Sequence, residues 1–249
     1  MGIFVFIIGL CIGSFLNVCI YRIPKEESIS FPPSHCTTCG YNLKAYDLVP
    51  ILSYLFLRGK CRKCGEKISL RYPLIELLNG LIYLLIFIKF GISLNFIFYS
   101  LLSSLLIVIS FIDLDSKYIY TSNTILGAVI GCIYILVGAY IGEVNIINNL
   151  LGGIIGYAII YLIVIATNGM GQGDAEIAGI CGLFLGIKGI LVTLFISIIL
   201  GGLVGIIILL FKLKDKKSEI AFGPYIAIAA VICIFYGHEI LSLYLSFFY

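Results

Sequence analysis

From Gly2 to Ile20 no residue carries a charge. Apolar runs recur at about 74–88, 92–112, 124–141, 146–168, 176–187, 189–211 and 222–237. A helix needs about 20 mostly apolar residues to cross the hydrocarbon of a bilayer. The succession of such runs specifies an all-α polytopic membrane protein with about eight transmembrane helices, whose main partner is the lipid bilayer. Hydrophobic residues make up 61% of the 249 positions, more than a water-soluble core of this size needs. The net charge of +3 is small and unevenly placed, so nucleic acid is not an expected partner. Residues 2–20 lack a preceding basic region and a small-residue cleavage site, and read as a retained first span rather than a signal peptide. The run at 176–187 is short, and only Lys188 and Gly189 part it from the next, which predicts a tight helical hairpin or a re-entrant segment. The apolar tail from Glu239 to Tyr249 is too short to span and is expected at the interface.

Residues 21–72 break the pattern. They hold nine of the sixteen Lys and Arg, with Pro24, Pro32, Pro33 and Pro50, and no run long enough to cross. This is a water-exposed loop large enough to form a small domain. Charge then sets orientation, because cytoplasmic loops carry an excess of Lys and Arg. With the amino terminus outside, the nine basic residues of 21–72, Lys117, and Lys212, Lys214, Lys216 and Lys217 all face the cytoplasm. Only Lys89 and Lys188 then fall on the other side.

Ser14 and Asn17 inside the first span are read as hydrogen-bonding to neighbouring helices. Gly152/Gly156 and Gly201/Gly205 have the small-xxx-small spacing that lets membrane helices pack closely, and we assign them no chemistry.

The loop contains Cys36-x-x-Cys39 and Cys61-x-x-Cys64. Two such knuckles supply the four thiolates that a structural zinc takes in a tetrahedron. Disulfides rarely persist in a reducing cytoplasm. The expectation is therefore a zinc site of Cys36, Cys39, Cys61 and Cys64 that organises a loop with little core of its own. His35 is not counted as a ligand. The other cysteines lie in apolar runs and read as packing residues.

A second constellation is acidic. The block Gly169-Met170-Gly171-Gln172-Gly173-Asp174-Ala175-Glu176 ends a long apolar run. Its glycines permit close backbone approach and let a helix unwind before Asp174. Asp113 closes the third span and Asp174 opens the sixth, so both meet the same membrane face. An ionisable side chain at membrane depth is a functional candidate by default. Two carboxylates brought close share a proton, and such a pair can serve as general base and general acid in peptide hydrolysis. The bland alternative is that each acid caps its own helix. A different class, a proton- or cation-coupled transporter using Asp113 and Asp174, fits the same positions, as does a zinc-stabilised scaffold without chemistry. Asp115 lies two residues beyond Asp113, on the opposite face of a continuing helix.

The chain resembles the prepilin peptidases, or type IV leader peptidases, which are GxGD-type membrane aspartyl proteases. The resemblance is carried by Gly13-Ser14-Phe15-Leu16-Asn17-Val18 and Tyr21-Arg22-Ile23-Pro24, then Ser34-His35-Cys36 and Asp47-Leu48-Val49-Pro50. It continues through Arg58-Gly59-Lys60-Cys61, Arg71-Tyr72-Pro73-x-x-Glu76, Asp113 six residues before Ile119, Gly169 to Asp174, and Phe222-Gly223-Pro224-Tyr225. It implies a first helix at 1–20, a cytoplasmic four-cysteine domain at 21–72 and a membrane-embedded aspartyl protease core at 73–249. It implies catalytic Asp113 and Asp174. Gly171 and Gly173 are expected beside the substrate, and the acids Asp115 and Glu176 next to the dyad are expected to receive the positive charges of its leader. The implied substrates are prepilins or pseudopilins with an apolar N-terminal helix, of type IV pili or protein secretion. Their basic leader would be cut at the cytoplasmic face of the bacterial inner membrane. Many relatives also methylate the new amino terminus with S-adenosylmethionine, for which the sequence carries no separate signature. Three positions depart from the family pattern: Tyr120 replaces a proline, Glu176 a lysine, and Thr37 a proline.

Overall fold

A computed structural model describes residues 1–167, 170–211 and 221–246. Its elements are α1 (Gly2–Arg22), α2 (Leu52–Phe56), α3 (Arg71–Phe90), α4 (Leu94–Ser116), α5 (Thr121–Ile141), α6 (Ile146–Thr167), α7 (Gln172–Leu210) and α8 (Gly223–Ser246). No strand occurs among the described residues, only isolated bridges within the cysteine loop. Seven of the helices are long and apolar enough to cross a membrane. Two compact units divide the chain, Met1–Val108 and Ile109–Tyr249, and the division falls inside α4.

In the first unit α1 and α3 approach closely because glycines line their contact. A Cβ on Gly9 would lie 2.8 Å from the Gly80 Cα, and one on Gly13 2.7 Å from the Glu76 Cα. Small residues allow such approach, and polar side chains must find partners where water is absent. The Asn17 amide accordingly donates to the Tyr72 carbonyl at 3.1 Å. Asn79, with no exposed surface, donates to the Gly9 carbonyl and accepts from the Ser104 hydroxyl.

The second unit is organised by α7, which is one continuous run of helix only in outline. Gly186 breaks it with φ 67° and ψ −176°, a conformation open to glycine but strained for other residues. The chain reverses there. A Cβ on Gly156 would meet both the Ala178 carbonyl oxygen, at 2.5 Å, and the Ile190 side chain, at 2.8 Å. Twelve residues of straight helix would hold those two about 18 Å apart. The first arm therefore runs back along α6, with Gly182 against Gly152, and the second returns along α8, with Gly201 against the Phe222 ring.

The break frees helix-end carbonyls, which need donors. The Asn149 amide donates to the Leu183 and Phe184 carbonyls at 2.8 and 3.3 Å, and the Ile187 N–H donates to Asn148. The tight hairpin anticipated from the short run at 176–187 is thus present, and counting its two arms separately gives eight helical passes. Residues 239–246 continue α8 as helix. Gly169, Lys212, Lys214, Lys216 and Lys217, and residues 247–249 lie outside the described residues.

Candidate active site

α4 stays helical to Ser116, so Asp113 and Asp115 project about 200° apart around it. Asp113 is 4% exposed, whereas Asp115 is on the surface. The Asp113 carboxylate accepts the Gly223 N–H at 3.0 Å, the first residue of α8. Asp174, in the first turn of α7 and 5% exposed, accepts the Gly171 N–H at 3.1 Å. Gly223 stands against both the Asp113 carboxylate and the Ile177 side chain, one turn beyond Asp174, so the two aspartates share one neighbourhood.

The short segment after α4 brings them together. Lys117 turns the chain out of the helix with φ 55°, and Ile119 then packs on α7. A Cβ on Gly173 would sit 2.6 Å from the Ile119 Cβ, so only glycine lets the two segments meet this closely. Asp113, Asp174 and Gly171 thus converge where α4 ends and α7 and α8 begin. Asp115 stands apart from them.

Glu176 is half-buried and faces a neighbouring groove of about 610 Å³ between α5, α6 and α7. Apart from Thr121, Thr124, Tyr157 and Glu176, its walls are aliphatic or glycine. Two features escaped the sequence reading. One is the groove, and the other is Gly223, whose N–H and lack of a side chain make room for Asp113: a Cβ there would lie 2.8 Å from the carboxylate oxygen. The signal was Pro224 just inside the start of an apolar run, a favoured position at a helix beginning.

The cysteine loop forms a second site. Cys36, Cys39, Cys61 and Cys64 bring their sulfurs within 4.8 Å of one another, with Cys36 and Cys64 3.8 Å apart and Cys39 and Cys61 4.0 Å apart. Four thiolates about 2.3 Å from one ion in a tetrahedron stand about 3.8 Å from each other, so the cluster can hold a metal ion. The two knuckles are alike. Cys36 and Cys61 take the carbonyls of Tyr41 and Glu66, and each accepts an N–H from a glycine four residues on, Gly40 or Gly65. The Cys39 and Thr38 N–H groups bring the Cys36 thiol down to about 6. At Cys64 the Glu66 N–H acts downward, but burial and the neighbouring thiols push it up to about 12. His35 turns its Nδ1 to the Pro33 carbonyl.

Asp47 ties the knuckles together. It pairs with Arg62 at 2.7 Å and accepts from the Lys44 N–H and the Tyr41 hydroxyl. Burial alone would raise the Asp47 carboxyl, but the Arg62 guanidinium and the Lys44 N–H outweigh it and hold it below the usual carboxylate value. A depressed folded value means the stabilisation is present above about pH 4 and disappears as pH falls through that lower value. Asp47→Asn should therefore make residues 26–70 more open to proteolysis at neutral pH, and the difference from the native chain should vanish at strongly acidic pH. A difference independent of pH would contradict this.

Residues 7–90 match the family described as Bacterial Peptidase A24 N-terminal domain, and residues 100–206 match the Type IV leader peptidase family. A Pseudomonas putida protein is 30% identical over 94% of this chain and 90% of its own length. Relatives from Neisseria gonorrhoeae and Bacillus subtilis (strain 168) are each 34% identical, covering 91% and 97% of this chain and 87% and 96% of theirs. All three are named prepilin leader peptidase/N-methyltransferase. The chain belongs to the type IV leader peptidase family. No solved structure matches it.

Within that family the Tyr120 departure is structurally mild. Tyr120 caps α5 with φ −78° and ψ 126°, a backbone conformation that proline also adopts. Glu176, a lysine in the family pattern, places a carboxyl on the wall of the apolar groove.

Proposed function

We propose that this chain is a membrane aspartyl endopeptidase that removes the basic leader from prepilins or pseudopilins and then N-methylates the new amino terminus. The observation that carries the reading is the pair Asp113 and Asp174, two buried carboxylates from separate helices, each accepting a backbone N–H.

The ionised member takes a proton from water as the water oxygen bonds to the scissile carbonyl carbon. The protonated member gives its proton to the carbonyl oxygen, and a neutral diol results. Collapse breaks the C–N bond, whose electron pair leaves with nitrogen. That nitrogen takes the proton held by the first carboxyl, and a diol hydroxyl returns one to the second. Both aspartates end as they began, and neither forms a bond to substrate.

The groove beside Glu176 suits the apolar helix of such a substrate, and Asp115 and Glu176 suit the positive charges of its leader. Gly171 leaves the approach to Asp174 free of a side chain, and Gly173 lets Ile119 pack against the start of α7 beside it. The distribution of Lys and Arg supports an amino terminus outside and a site at the cytoplasmic face of the inner membrane. Zinc is the ion that four thiolates at this separation favour, and elemental analysis should find about one per chain. When bound, S-adenosylmethionine supplies an electrophilic methyl group for the freed amine. The transporter alternative is not favoured, since the relatives carry peptidase names.

The test is the mass of a prepilin-like substrate after incubation with membranes containing this chain. Loss of the leader with gain of one methyl group is the expected result. An intact substrate would sink the peptidase reading, and a shortened but unmethylated one the methyltransferase half.

A further inference from the structure

Four asparagines are buried among the described residues, Asn17, Asn79, Asn123 and Asn149. Three of them use the side-chain amide alike. Asn17 donates to the Tyr72 carbonyl, Asn79 to the Gly9 carbonyl and Asn149 to the Leu183 carbonyl, each time a backbone group of another helix. Asn123 lies in the first turn of α5 and is 5% exposed. Its Nδ2 is enclosed and has no hydrogen-bond partner among the described residues. A buried polar group left without a partner is costly, and its presence calls for an explanation. The Ser100 and Ser110 hydroxyls of α4 share the condition. A hydroxyl, however, can rotate onto its own helix, as Ser103 and Ser116 do at the Tyr99 and Ile112 carbonyls. The donors of an amide are fixed in its plane.

Asn123 stands beside the aspartates. Ile119, just before α5, packs on Gly173, and Gly131, further along α5, packs on Leu183 and Phe184. α5 therefore runs parallel to the first arm of α7, which brings Asn123 level with residues 175–177, next to Asp174. Asn123, Gly127 and Gly131 recur every four residues on one stripe of α5, and Gly131 turns that stripe to α7. Ala175 and Ile177 are fully buried and apolar, so their side chains offer the amide nothing. Ile177 in turn stands against Gly223, whose N–H meets Asp113.

A peptide bond can be cut only where it is drawn out of helix. Within a helix each carbonyl is held by an N–H four residues on, and away from water nothing replaces that bond once it opens. The start of the substrate's apolar helix, unwound at the two carboxylates, therefore presents carbonyls that lack donors. Asp113 and Asp174 are as buried as Asn123, so a substrate that reaches them reaches its level. An enclosed amide that donates to nothing complements a backbone carbonyl that has lost its donor.

We propose that Asn123 is a substrate-binding residue whose amide donates to a backbone carbonyl beside the scissile bond. The proposal rests on the peptidase reading given above. Because the bond is made to backbone, it serves every leader alike, unlike the charge recognition assigned to Asp115 and Glu176.

Melting curves and cleavage rates of the purified full chain test it, with prepilin-like substrates carrying basic or neutral leaders. Asn123→Leu roughly keeps the shape and removes the donor. Loss of an unpartnered group should leave the melting temperature unchanged or higher. Cleavage per folded molecule should fall about tenfold or more, equally for both leaders. Asn123→Gln, which keeps a donor, should recover part of the rate. A native rate in Asn123→Leu overturns the proposal, as does a loss confined to basic leaders. A loss of cleavage that tracks a loss of melting temperature across the two variants makes Asn123 structural and also overturns it. A native chain that leaves both substrates intact overturns the peptidase reading itself.

Discussion

Asp113→Asn and Asp174→Asn are each expected to abolish leader cleavage, by about a thousandfold or more, while Asp115→Asn keeps substantial activity. The substitution preserves shape and removes ionisation. A pair that needs one proton donor and one acceptor fails when either member can no longer exchange a proton. Both side chains are buried, at 4% and 5% exposure, and each accepts a backbone N–H. An amide oxygen can still accept those bonds, so the variants should accumulate in the membrane at native levels. Asp115 shares the last turn of α4 with Asp113 but lies on the exposed side of it.

Its substitution should chiefly alter the preference for basic over neutral leaders, and charge reversal of Asp115 and Glu176 together should enlarge that change. Cleavage rates in membranes, normalised to protein amount, decide the matter. An inactive Asp115→Asn beside an active Asp113→Asn would reverse the assignment. Equal loss with basic and neutral leaders would remove Asp115 and Glu176 from substrate recognition.

Gly186→Val is expected to deplete folded protein from the membrane, although Gly186 touches neither carboxylate. A β-branched residue at φ 67° costs about 1–2 kcal/mol in backbone strain alone. The new Cβ would also strike the Asn148 side chain, which receives the Ile187 N–H where the helix breaks. Overlap of this kind typically adds about 1–3 kcal/mol, against a total stability of about 5–15 kcal/mol. Gly202→Ala is the control, because a Cβ there meets nothing within 4 Å. It should leave both yield and melting temperature unchanged. A Gly186→Val protein that purifies in native yield with native melting behaviour would show that the hairpin does not depend on this glycine.

The sequence by itself determined the fold class, the loop and the four-cysteine cluster. Helices long enough to cross a bilayer need runs of apolar residues, and such runs are local. So are the two CxxC knuckles, whose geometry is set within six or seven residues by turns such as Cys36 N–H to the Tyr41 carbonyl. The separation of Asp113 from Asp115 was also legible, because the rotation per residue of a helix is fixed.

Only the tertiary structure decided what lies across the chain from what. Periodicity left the run at 176–187 as either a hairpin or a re-entrant segment. The reversal at Gly186 follows from Gly156 touching both Ala178 and Ile190, and from two asparagines on α6 meeting the freed backbone groups. The late Phe222-Gly223-Pro224-Tyr225 stretch was visible as a motif, but not as the segment that meets Asp113. Asp113 and Gly223 are 110 residues apart, and their hydrogen bond forms only once α8 has returned beside α7. Glu76 was visible too, as the last residue of the Arg71-Tyr72-Pro73-x-x-Glu76 motif. Its burial beside a cavity, with Ile51 turned to meet it, depends on how α1, α3 and the cysteine loop pack together. Local pattern fixes what each segment becomes, whereas contacts between distant segments depend on side-chain fit, which no short stretch of sequence records.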